Sequence, residues 1–142
     1  MTAQPTSSPR SFRLSADTLA RLDAAVALSN ENRNSMVERL LNEALRRESH
    51  PLIMFRTGAG GLREPQVIGT RILVRQFVTH IRDEDGDMEL VAESLNIPLT
   101  LVRAAASYFA EFRDEIDADI RANEQFEGIE YAKWQREQAA FK

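Results

Sequence analysis

Polar and apolar residues alternate with a period of two across Ser11–Phe12–Arg13–Leu14–Ser15. That alternation predicts a short strand with Phe12 and Leu14 on one face and Ser11 and Arg13 on the other. The period then changes to 3.6. Leu19, Leu22 and Val26 mark a helix of about three turns, with Ser15 as N-cap and Asp17 in the first turn, where the helix dipole favours an acid. Asn30–Glu31–Asn32 predicts a break, because Asn tolerates the left-handed conformation of a C-cap. Asn32 is placed to cap a second helix whose stripe is Met36, Val37, Leu40, Leu41, Ala44 and Leu45, with Arg46 and Arg47 in its last turn. Ser35 with Glu38 offers an alternative capping box three residues later. His50–Pro51 closes the helix.

The pattern beyond Pro51 is different. Leu52–Phe55 and Gln66–Ile68 are strand-like and flank Thr57–Gly58–Ala59–Gly60–Gly61, so a small hairpin is expected. Ile72, Leu73, Phe77, Val78 and Ile81 are helical in spacing, and Asp83–Asp87 is a polar break. Leu90, Val91 and Leu95, then Asn96–Ile97–Pro98, then Leu101, Val102, Ala105 and Phe109 read as helix, tight turn, helix. Asn96 ends the first helix and Pro98 opens the second. Gly69 is expected in a turn, and Arg71 in an ion pair or cap. From Asp114 to Lys142 the chain is highly charged, with Phe126, Ile129, Tyr131, Trp134 and Phe141 spread along it.

The predicted strand and first two helices cannot stand alone. A lone strand leaves a row of N–H and C=O groups unpaired, and about 40 residues bury too little surface for independent stability. Both defects vanish if two copies pair their strands antiparallel and pack four helices together. The expectation is an obligate homodimer with a core of Phe12, Leu14, Leu19, Leu22, Val26, Met36, Val37, Leu40 and Leu41. Ser11 and Arg13 then face outward.

Composition narrows the chemistry. The 142 residues carry a net charge of -4, yet residues 1–50 hold seven Arg against six acids, whereas the remainder is acidic. A basic ribbon can still meet phosphate, since salt limits the reach of the acidic part to roughly 8 Å. There is no cysteine, which excludes disulfides and thiol chemistry and suits a reducing cytoplasm. His50 and His80 are the only histidines, so no transition-metal site is expected. Gly58–Gly61 lacks the Lys-Ser/Thr of a phosphate loop. Asp83, Asp85 and Asp87 lack the glycine position and closing Glu of a calcium loop. No secretory signal or membrane span is expected, nor any cofactor or enzymatic activity.

The run Phe12–Arg13–Leu14–Ser15, Leu19–x–x–Leu22, Asn32–Arg33–Asn34–Ser35–Met36–Val37, Leu40–Leu41–x–x–Ala44–Leu45 resembles the ribbon-helix-helix family (CopG/MetJ/Arc type), which includes many bacterial antitoxins. The resemblance implies a two-stranded ribbon in the DNA major groove, with Ser11 and Arg13 on base edges. It implies phosphate anchoring by the N-terminus of the second helix, Asn32, Arg33 and Asn34, with Arg10 adding charge. Two positions depart from the family pattern. Pro9 replaces a polar reader, and Asn30–Glu31–Asn32 replaces a turn with glycine, placing Glu31 near the phosphate site.

Val67–Ile68–Gly69–Thr70–Arg71–Ile72, Leu90–Pro98, Val102–Arg103–Ala104–Ala105 and Asp114–Ile120 resemble the domain-of-unknown-function 433 family over residues 65–122. That likeness implies a helix-turn-helix-like unit of the kind found in antitoxins beside PIN-like ribonucleases. Thr100 and Arg103 are its candidate groove residues, although the acidic surroundings favour a packing or protein-binding role.

The expected fold is therefore mainly α: a ribbon-helix-helix domain (10–49) after a disordered arm (1–9), then a small helical, helix-turn-helix-like domain with a short β-hairpin (52–122). A partner-binding tail (123–142) follows. The expected function is that of an antitoxin and autorepressor, with operator double-stranded DNA and a ribonuclease toxin as partners. The toxin would dock on Phe126, Ile129, Tyr131, Trp134 and Phe141, with assembly beyond the homodimer possible when it is bound. A plain repressor without toxin and an adaptor that only dimerises are the alternatives.

Overall fold

The computed structural model describes residues 6–142. The proposed arm lies outside the described residues through position 5, and residues 6–9 are exposed. The fold is mainly helical with one two-stranded antiparallel sheet. The element order is α1 (Ala16–Ala27), α2 (Arg33–Ser49), β1 (Ile53–Thr57), a 3-10 turn at Ala59–Gly61, β2 (Arg63–Val67), α3 (Val74–Asp83), α4 (Met88–Leu95), α5 (Leu99–Glu111) and α6 (Arg113–Ala140). Two compact units result, one ending at Asn42 and the other beginning at Glu43. Helix α2 runs unbroken through that division.

In the first unit the local signals act as their chemistry requires. Ser15 accepts a hydrogen bond from Thr18 N–H at 3.1 Å and starts α1. Asn32 Oδ1 accepts from Ser35 N–H at 2.8 Å and starts α2 at Arg33, so the alternative start at Ser35 is not used. The break between the helices differs from expectation. Leu28 closes α1 in a right-handed conformation, and neither Asn30 nor Asn32 is left-handed. Ser29 supplies the turn instead: its hydroxyl donates to Val26 O and accepts from Glu31 N–H. The strand expected at Ser11–Leu14 is not formed. The segment runs as exposed coil and pairs with neither β1 nor β2.

The second unit has a closed core. The hairpin pairs Ile53 with Val67 and Thr57 with Arg63 across a turn in which Gly60 and Gly61 both take positive φ. One face of the hairpin is held by α3 and α5, and Ile53, Val67, Val74, Phe77, Val91, Val102, Ala105, Tyr108 and Ile116 form the core. Each full burial of a large apolar side chain is worth roughly 1.5–3 kcal/mol. Asp87 caps α4, and Asn96 ends it with φ 53°, ψ 49°. Pro98 then stands at the N-cap of α5. Arg71 is exposed and makes no ion pair or cap among the described residues, contrary to expectation, because the turn at Gly69 leaves it on the surface. No helix of the described residues is long and apolar enough to cross a membrane. The last helix is continuous from Arg113 to Ala140, so no structural break separates a tail at 123.

Candidate nucleic-acid interface

The first unit is open. Helix α1 has no buried residue. Of the expected dimer core, only Met36 is buried in the single chain, while Leu22, Val26 and Val37 are half-buried. Phe12 is 76% exposed, and Leu14, Leu19, Leu40 and Leu41 are exposed as well. These side chains leave an exposed apolar surface on the first unit.

The charges of this unit sort themselves. Arg21 pairs with Asp17 at 2.9 Å, Arg33 pairs with Asp23, and Arg39 pairs with Glu31 at 3.0 Å. Among the described residues Arg13 pairs with no carboxylate, and Arg10 donates to the Pro9 carbonyl at 3.1 Å. These two guanidinium groups, without an acidic partner among the described residues, lie on the extended segment with Ser11, where base and backbone contacts were expected. The other expected set is altered. Arg33 is already engaged by Asp23, and the Asn32 side chain occupies the Ser35 N–H. What remains for an anion at the α2 N-terminus is free backbone N–H, the dipole and the exposed Asn34. Glu31, a repulsive neighbour in the sequence reading, is neutralised by Arg39 through two contacts of 3.0 and 3.2 Å. No hydrogen bond or ion pair joins the 10–13 segment to Asn32–Asn34 among the described residues.

Thr100 and Arg103 are exposed on α5 and line a shallow cavity of about 260 Å³ with Ser49, Pro51 and Ser107. Phe126, Ile129, Tyr131, Trp134 and Phe141 are all exposed on α6, with the Tyr131 and Trp134 rings stacked at 5.8 Å between centroids.

One cluster escaped the sequence reading. Within the second unit, Arg46 donates to Tyr108 Oη at 2.8 Å and to Glu115 at 2.6 Å, and stands 3.9 Å over the Phe112 ring. His50 is 8% exposed, with Nε2 2.6 Å from Glu111 and its ring edge-on to Tyr108. Burial pushes the Tyr108 phenol up to about 12, against the lowering pull of the Arg46 hydrogen bond. These partners are 61–69 residues apart, so no local spacing could have announced them. The cluster has a structural role, tying the last turn of α2 to α5 and α6. The described residues hold no group of three or more acidic or histidine side chains arranged for a metal.

No protein-family model, curated protein or solved structure matches the chain.

Proposed function

We propose that the chain is a non-catalytic, DNA-binding antitoxin. Two copies pair residues 11–14 into an antiparallel ribbon, close the apolar faces of α1 and α2 on each other, and present Ser11 and Arg13 to the major groove of operator DNA. Backbone N–H groups at Arg33 and Asn34 anchor phosphate. The second unit, helix-turn-helix-like in its α4–turn–α5 segment, holds a PIN-like ribonuclease toxin, and the exposed half of α6 supplies the contact.

The observation that carries the reading is the uncovered apolar face of the first unit, which includes Phe12 and Leu14 on the same extended segment as the unpaired Arg13. A second copy of that segment satisfies both the backbone and the apolar side chains at once. The neutralised Glu31 adds support, since it removes a repulsive charge from the anion site.

The test is retardation of DNA from upstream of the protein's own coding region. Retardation that is lost in Arg13→Ala while the dimer persists supports the reading. Retardation unchanged by that substitution, or none at all, sinks it and leaves an adaptor. Affinity should also fall steeply with added salt, as counterion release requires. The toxin half is tested separately, by copurification with the product of the adjacent reading frame and arrest of its RNA cleavage. Failure there, with DNA binding intact, leaves a plain repressor.

A further inference from the structure

We infer that the cavity between the α2–β1 corner and α5 is a binding site for a terminal phosphate group, either free phosphate or a monoester. The cavity measures about 260 Å³, and both of its walls belong to the second unit. Ser49 and His50 line one wall, and Thr100, Arg103 and Ser107 line the other. The last three stand at i, i+3 and i+7 on α5 and so share one helix face.

The lining is rich in donors and free of acids. No carboxylate lines this cavity, whereas the groove at the hairpin tip sets Glu64 and Asp119 among its arginines. Among the described residues Arg103 has no acidic partner, and the hydroxyls of Ser49, Thr100 and Ser107 make no hydrogen bond. A guanidinium and three hydroxyls therefore converge on one space with their donor capacity unspent. Thr100 also lies in the first turn of α5, at the positive end of its dipole, and no side chain caps that end.

His50 supplies an independent observation. Its side chain is 8% exposed, and Nε2 is held 2.6 Å from the Glu111 carboxylate. Nδ1 makes no hydrogen bond among the described residues, yet no buried polar side-chain atom of theirs lacks a partner. Nδ1 therefore reaches solvent, and the opening that the ring lines is this cavity. Nε2 faces a carboxylate and carries a proton. Nδ1 then accepts from a protonated phosphate oxygen or, in the doubly protonated ring, donates to a bare one. A phosphate monoester exchanges its second proton at about pH 6 and satisfies either form. A phosphodiester has no such proton, which favours a terminal phosphate over a nucleic-acid backbone. The inference does not rest on DNA reading by the first unit.

The test is a titration of the full chain with inorganic phosphate at constant ionic strength, followed by amide chemical shifts. Saturable shifts are expected at residues 49–53 and 100–107, and phosphate bound at Arg33 and Asn34 is read separately by its position. Arg103→Gln should weaken the affinity about tenfold or more, because the lost bond is charge-assisted. Arg71→Gln removes the same charge from an exposed arginine outside the cavity and should leave the affinity unchanged. Ser107→Glu should abolish binding by placing a carboxylate in the site. Both α5 positions are exposed, so the folded amide pattern should persist in these variants. Glycerol phosphate distinguishes the sources: saturation at the same residues identifies a monoester, and saturation by phosphate alone identifies the free ion. In an Arg13→Ala background, a short duplex should not displace the phosphate. Shifts that grow without saturating, equal losses in the two arginine variants, or displacement by the duplex would each overturn the inference.

Discussion

Arg13 differs from most arginines of its unit in having no carboxylate partner among the described residues, whereas Arg21, Arg33 and Arg39 are each paired. If it reads a guanine edge, Arg13→Ala costs roughly 1–3 kcal/mol in operator affinity, about 5- to 150-fold. Titration of labelled operator by fluorescence anisotropy measures that loss, and an unrelated duplex should show a smaller one. Tyr108 offers a second prediction at this scale. Its phenol is raised above the ordinary value of 10.0 to about 12 by burial, so the folded state holds the proton more tightly than the unfolded state does. The associated stability is complete below pH 10 and is lost as pH rises from there through about 12. In a Tyr131→Phe background, phenolate absorbance should titrate with a midpoint near 12. A midpoint at the ordinary value would show that the hydroxyl is not buried with Arg46.

At the level of elements, the boundaries rest on a few caps. Asn96 is left-handed at the end of α4, a conformation that costs an ordinary L-residue roughly 1–2 kcal/mol. Asn96→Ala should therefore lower the urea-unfolding free energy by about 1 kcal/mol, and Asn96→Gly should cost little or nothing. This cap, like Ser15 and Asn32, was legible in the sequence, because a cap acts over three or four residues. The hairpin was legible too, since two apolar runs flank a glycine-rich turn. The loop after α1 was not: Asn30 has the right intrinsic preference, but the Ser29 hydroxyl bonds the backbone first and leaves no need for a left-handed residue. The Arg46–Tyr108–Glu115 and His50–Glu111 contacts were invisible for another reason. They are created by packing between distant elements, and nothing in a single helix's periodicity encodes them. The strand expected at Ser11–Leu14 is a third case: the alternation is plain, but the segment runs as exposed coil and pairs with no strand among the described residues.

For the whole molecule, the first unit is the part with the fewest buried side chains. Leu41 is half exposed in the isolated chain, so Leu41→Asp removes little from the fold of one copy. The same change puts a carboxylate into the four-helix core of the proposed dimer, where an unpaired charge costs several kcal/mol. Sedimentation velocity should show the variant shifted from dimer toward monomer, with operator binding lost in parallel. A dimer of undiminished strength would mean that the α1–α2 face is covered by something else. The second unit has its own core built from Phe77, Val102, Tyr108 and Ile116, and it should keep its cooperative unfolding in that variant.

The bond between Arg33 and Asp23 bears on how such a protein would search a genome. A helix terminus whose own cation is occupied by an internal acid attracts any passing duplex less strongly. Attraction to random sequence comes almost entirely from phosphate, whereas in the proposed complex base edges are read by the ribbon. Discrimination is the ratio of those two affinities, and an acid that blunts the first without touching the second leaves fewer molecules stranded on irrelevant sites.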